Sequence, residues 1–250
     1  NHQSPRGPLH AFLGDLDRDD YATLRFPKQI SNFDVFNFFF INFNYTSLLD
    51  DFVYLDQQQF DPLRYKTVDR NFNFKIDPRP VAGEWGDQFS SYVTSEVVHP
   101  HGHQSVPRSL LFGMDMPKHV QGNQDPALRL AKPFWAQNDL RYRHLFDDTE
   151  LYIVFGCSLG ESDRWWWKNI ASSLGIERTR ADGESTYTPE VILYWFNGGS
   201  STLTVEAVQD RFLSFCDNAD QAARLRQHVH VVLHSPTTTR RWLKTTPSAP

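Results

Sequence analysis

A glycine-rich turn at residues 156–160 is the strongest local candidate for a chemically active site. Gly156-Cys157-Ser158-Leu159-Gly160 matches G-x-S-x-G and lies between an apolar segment and a predicted helix, as a nucleophile elbow requires. The pattern makes Ser158 a candidate nucleophile. The helix after it opens with charged and bulky residues over 161–167, whereas a helix beneath an elbow usually opens with small ones. We favour a turn whose backbone N–H groups face a ligand, because free donors at a helix N-terminus attract anions and polar atoms.

Three histidines alternate with other residues in His99-Pro100-His101-Gly102-His103. This spacing could bring imidazoles to one side of an extended strand, where they could bind zinc. Pro100 and Gly102 argue against a continuous strand, and no Cys, Asp or Glu is adjacent. We therefore expect exposed loop histidines, at most one of them functional, and no metal site.

Asn44, His101 and the Ser158 turn each follow a predicted strand directly. In an open α/β sheet, ligands bind at the carboxyl ends of the strands, so we expect these positions to share one cleft. A neutral amide, an imidazole and a Gly/Ser turn suit a nucleotide or sugar phosphate better than an acyl substrate. Neither G-x-G-x-x-G nor G-x-x-x-x-G-K occurs, so a nucleotide site would need its first strand and phosphate loop before Asn1.

The elements that would position these residues are less regular in the first half of the chain. Apolar patterns predict strands over 38–43, 92–99 and 109–112 and a short helix over 48–55. Residues 56–90 show no clear period and are interpreted as an insertion with a hairpin near 72–76. Residues 126–146 predict a helix interrupted by Pro133.

The second half alternates more clearly between strands and helices. Strands are predicted over 151–155, 191–196 and 229–233, and helices between them over 162–174, 205–215 and 219–226. Ser162 can cap the first of these helices and Gly175 can end it. This alternation predicts crossovers over a parallel sheet. The expected fold class is α/β, a mainly parallel sheet with helices on both faces, in a single domain over 1–235 followed by a polar flexible tail over 236–250.

Composition excludes several classes of function. The formal net charge of −5 gives no indication of nucleic-acid binding. The longest apolar runs, 38–41 and 191–196, are shorter than the roughly 18 residues that a membrane helix needs. Two cysteines form no disulfide framework, which favours a reducing cytoplasm. Because the chain begins at Asn1 without an initiator Met or a signal-peptide pattern, we expect an N-terminally incomplete cytoplasmic protein.

These motifs, in their order, resemble the AbiH family of bacterial abortive-infection proteins. The matching segments are Phe43–Thr46, His101-Gly102, Leu111–Asp115 and Phe155–Asp163. The last is the most specific, because Ser-Leu-Gly-Glu-Ser-Asp is far longer than an elbow motif. Cys157 stands where the family usually has His, and the family's opening Gly-Asn-Gly-Phe-Asp strand and loop would lie before residue 1. The resemblance covers residues from about 30 to 235.

The AbiH family is in turn similar to the sirtuin-like NAD-hydrolysing domains of bacterial anti-phage systems. Those domains have Asn-Tyr-Asp, His-Gly and Gly-x-Ser-Leu-x-Asp in the same order. The similarity implies a Rossmann-like or sirtuin-like fold, with NAD as a substrate and no resident cofactor. It implies that Asn44 holds the water or the ribose at the scissile N-glycosidic bond and that His101 is the base near the ribose hydroxyls. Gly156 and Ser158 would contact the adenosine half, with Asp163 in the same nucleotide-binding set.

The resemblance implies a protein that drains NAD after infection, with a phage component as its trigger. Nicotinamide is a good leaving group, so a positioned water and a proton acceptor could suffice. Thr46 stands where the sirtuin-like enzymes have Asp. Two alternatives stay open, a non-enzymatic module that senses a nucleotide or a phage component and a serine hydrolase with Ser158 as nucleophile. Without the phosphate loop, the 250-residue chain is expected to be inactive.

Overall fold

The computed structural model describes residues 12–26, 30, 34–57, 72–75, 88–111, 126, 131–180, 182–198, 203–235 and 238. The chain forms two compact units. The first unit comprises Asn1–Asp15, Pro27–Leu110 and Thr239–Pro250, and the second comprises Leu16–Phe26 and Leu111–Thr238. The chain therefore passes between the units at four points. The single domain over 1–235 and the insertion over 56–90 stay predictions, and nearly all of the expected tail lies outside the described residues.

The helices are α1 (Arg18–Thr23), α2 (Leu48–Gln57), α3 (Lys132–Ala136), α4 (Asn138–Tyr142), α5 (Leu145–Asp148), α6 (Arg164–Ser173), α7 (Val205–Leu213) and α8 (Ala219–Leu225). The strands are β1 (Val35–Ile41), β2 (Phe72–Lys75), β3 (Gln88–Val98), β4 (Leu151–Phe155), β5 (Arg178–Thr179), β6 (Thr186–Tyr187), β7 (Glu190–Phe196) and β8 (Val229–His234).

The first unit contains a mixed sheet in the order β1-β3-β2. Strands β1 and β3 are parallel, with Ile41 opposite Val98 at their carboxyl ends. Strand β2 is antiparallel to β3. Residues 72–75, where a hairpin was expected, thus form one strand, and the residues that link it to β3 lie outside the described part of the chain. The strand predicted over 38–43 begins at Val35 and ends at Ile41. It is not buried throughout, since Phe39 is 38% exposed. The helix expected over 48–55 is confirmed as α2.

The strand predicted over 109–112 is wrong. Pro107–Ser109 form a 3₁₀ turn, Leu110 and Leu111 have no regular structure, and Phe112 lies outside the described residues. Pro107 starts the turn because its fixed φ suits a first helical position. The hydroxyl of Ser109 donates to the carbonyl of Val106 at 2.7 Å, and such local side-chain bonds compete with a strand ladder.

The second unit is built on a parallel sheet in the order β4-β7-β8. Strand β7 is central and its Val191–Tyr194 segment is almost fully buried, because an inner parallel strand is covered on both faces. The predicted α/β class and parallel pairing are confirmed here. The described strands of the whole chain form small separate sheets, including an antiparallel β5-β6 pair. The more detailed expectation of a Rossmann-like or sirtuin-like sheet stays a prediction.

The helices of the second unit follow the predicted apolar periodicity in most places. Trp166, Ile170 and Leu174 are buried along α6 and just beyond its end, as expected. Gly175 follows with φ of +69°, a left-handed conformation that favours glycine at the end of a helix. Helices α7 and α8 lie within two residues of their predicted bounds.

The helix expected over 126–146 is divided at a different place from the one predicted. Pro133 lies in the first turn of α3, where proline is tolerated because that N–H has no partner within the helix. The break comes at Gln137, whose φ of 50° lies in the left-handed region. Three short helices, α3 to α5, replace the predicted one within the described residues.

Candidate functional site

A buried amide shapes the loop that follows β1. The backbone N–H of Asn42 donates to the carbonyl of Val98 at 2.9 Å, which extends the β1–β3 ladder by one bond. Its side-chain Oδ1 accepts the backbone N–H of Asn44 at 3.0 Å, and its Nδ2 donates to the carbonyl of Thr46. Asn42 is 8% exposed, whereas Asn44 is exposed to solvent. Sequence analysis missed this role of Asn42, whose signal is an amide at the end of an apolar strand.

The loop that follows β3 folds back on itself at a glycine. Gly102 has φ of +92°, and a Cβ at this position would lie 2.0 Å from the carbonyl oxygen of Ser109. No other residue fits there without a backbone shift. The backbone N–H of His103 donates to Oγ of Ser109 at 2.8 Å. This fold brings the rings of His99 and His103 to a centroid distance of 4.7 Å, nearly perpendicular to each other.

The loops after β1 and β3 are joined by hydrogen bonds. The backbone N–H of Gln104 donates to the carbonyl of Tyr45 at 2.8 Å, and Nδ1 of His99 lies 3.0 Å from the carbonyl oxygen of Asn44. Asn44 and His101 therefore lie on neighbouring loops at the carboxyl ends of two paired parallel strands.

The expectation of exposed loop histidines is wrong. His101 is only 8% exposed, and its ring lies 5.1 Å from the ring of Phe43. The side chain of His99 is 11% exposed. The residues that cover them come from the neighbouring β1 loop and from α2, which the local sequence around residue 100 does not reveal.

An acidic residue distant in the sequence completes a cluster with two of these histidines. Asp50, in the first turn of α2, has its carboxylate oxygens 3.0 and 3.2 Å from Nε2 of His99. Each of Asp50, His99 and His103 offers one atom that could bind a metal, a carboxylate oxygen or a ring nitrogen. These three atoms all lie within 4.8 Å of one another. Sequence analysis argued against zinc because no acidic residue is adjacent to the histidines, but the fold supplies one from α2.

The Ser158 turn lies in the second unit, at the carboxyl end of β4. Gly156 has φ of 68° and Leu159 has φ of 49°, with the Leu159 side chain buried. The carbonyl of Gly160 accepts a hydrogen bond from Nε1 of Trp167 at 3.0 Å, which fixes the turn against α6. Ser158 is exposed.

The helix after this turn begins differently from the prediction. A 3₁₀ turn over Glu161–Asp163 precedes α6, and Asp163 occupies the N-cap position without a side-chain capping bond. The hydroxyl of Ser162 donates to the carboxylate of Asp163 at 3.1 Å. The expectation that Ser162 caps the helix is therefore wrong, because the 3₁₀ turn moves the start of α6 to Arg164.

The thiol of Cys157 is unsuited to nucleophilic chemistry. Burial, followed by the negative charge of Asp163, raises its pKa to about 11. Since the thiolate is the reactive form of cysteine, Cys157 is nearly all thiol at neutral pH.

We expect Ser158 not to be an acyl-transfer nucleophile. Among the described residues, no histidine forms a hydrogen bond with its hydroxyl, and the strained φ belongs to Leu159 and not to the serine. Treatment with a fluorophosphonate probe should leave Ser158 unlabelled, as checked by mass spectrometry. Stoichiometric labelling that disappears in Ser158→Ala but persists in Ser162→Ala would establish the serine-hydrolase alternative.

The predicted site residues fall in both units. Asn44 and His101 belong to the first unit, and Gly156, Ser158 and Asp163 belong to the second. Asn44 and His101 are brought onto adjoining loops, and the other three share one turn and the helix start after it. The meeting of the two groups in one cleft stays a prediction.

A buried glutamate lies at the opposite, amino end of the β4-β7-β8 sheet. Glu190 is 2% exposed. Its Oε2 accepts the backbone N–H groups of Arg25 at 2.8 Å and Phe26 at 3.1 Å, and its Oε1 lies 3.3 Å from Nε2 of His230. Burial, and then the charge of Arg25, lowers the pKa of nearby His228. Sequence analysis missed this group, whose signal is a glutamate directly before an apolar strand. Its contacts anchor the segment after α1 to the sheet.

Comparison with known families decides where this chain belongs. The family model described as bacteriophage abortive infection AbiH matches residues 9–182. The chain belongs to the AbiH family. The match covers the Asn44 loop, the His101 loop and the Ser158 turn, and it begins and ends earlier than the expected 30 to 235. No curated protein matches the chain, and neither does any solved structure. Within the described residues of this AbiH protein, no helix is long and apolar enough to span a bilayer.

Proposed function

We propose that this AbiH protein acts in abortive infection by hydrolysing NAD at the nicotinamide N-glycosidic bond. The observation that carries the proposal is the pair of joined loops at the carboxyl ends of β1 and β3. They hold the exposed amide of Asn44 beside the turn that contains His101. This edge is where α/β folds bind ligands, and amide and imidazole groups can position water and accept a proton without a metal or a covalent intermediate.

The roles proposed for the two residues follow from their chemistry. The amide of Asn44 has both a donor and an acceptor, so it can orient a water or a ribose hydroxyl at the anomeric carbon. The bond from the ribose to nicotinamide breaks as a water bonds to the anomeric carbon, and the imidazole of His101 accepts the proton that this water loses. Gly156, Ser158 and Asp163 are proposed to contact the adenosine half of NAD.

One observation favours the alternative function, a nucleotide-sensing module without turnover. His101 is 8% exposed and its ring packs near Phe43, so it can stabilise the loop without taking part in chemistry. A sensor of this kind binds NAD but leaves its concentration unchanged, and the two functions therefore differ in what they do to the NAD pool.

Infected cells distinguish the enzyme from the sensor. We expect cells that produce the protein from its complete natural reading frame to lose NAD after phage challenge and before lysis. Cells with His101→Ala should keep their NAD, whereas His144→Ala, at an exposed position between α4 and α5, should behave as wild type. The measurements are NAD by enzymatic cycling, plaque counts and protein level by immunoblot. Protection by wild type with an unchanged NAD pool would support the sensor.

A further inference from the structure

We propose that Asp50, His99 and His103 bind a divalent transition-metal ion of the zinc class. This proposal does not rest on the proposed NAD hydrolysis. Their ligand atoms lie within 4.8 Å of one another in the first unit. Two imidazoles and one carboxylate form a known type of zinc site with three protein ligands and an open fourth position. Imidazole nitrogen favours zinc and similar transition metals over magnesium or calcium, which prefer all-oxygen sites.

The hydrogen bond of His99 to the main chain orients one ring nitrogen for a metal. Nδ1 lies 3.0 Å from the carbonyl oxygen of Asn44, and a carbonyl can only accept, so Nδ1 carries the proton. Nε2, the other ring nitrogen, faces the Asp50 oxygens at 3.0 and 3.2 Å. It is therefore the atom of His99 that can share an ion with this carboxylate. Metal-binding histidines commonly donate their other N–H to a backbone carbonyl in this way.

The distances fit a tetrahedral ion. Zinc bonds of about 2.0–2.2 Å to nitrogen and oxygen at tetrahedral angles place neighbouring ligand atoms about 3.3 Å apart. Asp50 and His99 already have that separation, at 3.0 and 3.2 Å. The ligand atom of His103 lies within 4.8 Å of those of Asp50 and His99, close enough for a small movement of its ring to complete the set.

The surroundings of His103 allow two positions of its ring proton. Its Nδ1 contacts the hydroxyl of Ser105, and it also lies 3.2 Å from the backbone nitrogen of Ser105. The backbone N–H favours the tautomer with its proton on Nε2. The hydroxyl can instead accept a proton from Nδ1, which leaves Nε2 unprotonated for a metal. Metal binding therefore selects the second tautomer.

The three ligands are held by separate parts of the fold. Asp50 is fixed in the first turn of α2, His99 directly follows β3, and Gly102 turns the chain so that His103 returns beside His99. The Asp50 and His99 side chains are 31% and 11% exposed. The pair is thus shielded from bulk water on most sides, while an ion can still reach the carboxylate.

Metal titration of the chain tests the site. The untagged protein is stripped with a chelator, dialysed and titrated with Zn²⁺ by isothermal calorimetry, and a parallel sample is titrated with Co²⁺ and followed by visible absorption. We expect one ion bound per chain in this site and a Co²⁺ spectrum with the intense bands of tetrahedral coordination. Asp50→Asn, His99→Gln and His103→Gln should each weaken Zn²⁺ binding by about 100-fold or more, since even partners outside the coordination shell contribute about 10–100-fold.

Control variants separate loss of a ligand from loss of folding. His144→Gln removes an exposed histidine outside the cluster and should leave the affinity unchanged. Circular dichroism checks each variant, and Asp50→Asn keeps the shape of the side chain if a histidine variant unfolds. The proposal is overturned if stripped wild type binds no Zn²⁺, or if binding survives unchanged in folded Asp50→Asn and His103→Gln.

Discussion

We expect His101→Ala to slow nicotinamide release from NAD by about 10²–10⁴-fold, the usual contribution of general acid–base groups. The loss is large because neither of the other two histidines of the β3 loop is placed to replace His101 as proton acceptor. His99 is held by Asn44 and Asp50, and His103 by Ser105. The protein from the complete natural reading frame is assayed by chromatographic measurement of released nicotinamide, with phage lysate added as a trigger.

The buried position of His101 requires controls for folding. His101→Asn keeps a polar side chain of similar size and should lose activity to a similar extent while preserving the loop. Asn44→Ala should also remove most of the activity, because it deletes the amide proposed to position water, yet Asn44 is exposed and its removal should leave stability nearly unchanged. Equal rates for wild type and a folded His101 variant would exclude His101 from the mechanism.

We expect Glu190→Ala to lower the free energy of unfolding by about 3–5 kcal/mol, the usual cost of leaving several buried hydrogen-bonding groups without their partner. The substitution leaves the backbone N–H groups of Arg25 and Phe26 and the ring nitrogen of His230 without their acceptor. Each unsatisfied buried donor carries a desolvation penalty. Urea unfolding followed by tryptophan fluorescence measures the change, because Trp165, Trp166 and Trp167 lie in the same unit.

A matched surface substitution shows that burial causes the effect. Glu161 pairs with Arg164 at 3.0 Å, and both side chains are about half exposed. Glu161→Ala should therefore cost less than about 1 kcal/mol. The loss in the free energy of unfolding for Glu190→Gln should lie between those of the two alanine variants, because the glutamine amide oxygen can still accept a backbone N–H. A loss below about 1 kcal/mol in Glu190→Ala would mean that the segment after α1 does not depend on this anchor.

The elements predicted well are those whose apolar pattern is decided locally. Strands β4, β7 and β8 and helices α7 and α8 lie close to their predicted bounds. Their apolar residues recur at the spacing of a strand or a helix. Helix α6, in the same way, ends where Gly175 predicts. The strand predicted over 109–112 failed because a proline turn and the Ser109 hydroxyl outweigh a short apolar run.

The candidate sites were predictable only where chemistry follows a strand end. The placement of Asn44 and His101 on adjoining loops followed from the apolar strands before them, and their role in catalysis stays a prediction. The Asp50–His99 contact joins residues 49 positions apart, and no local pattern reveals such a pairing. The Glu190 anchor likewise depends on backbone N–H groups more than 160 positions away. Long-range placement of polar groups is set by packing and not by periodicity.

The chain crosses from one unit to the other four times, so a single cut in the sequence cannot separate the two units. The second unit needs Leu16–Phe26 as well as Leu111–Thr238, and Arg25 and Phe26 supply the N–H groups that Glu190 accepts. A single cut near residue 110 would separate that segment from its sheet. One recombination event near residue 110 therefore cannot transfer the second unit whole.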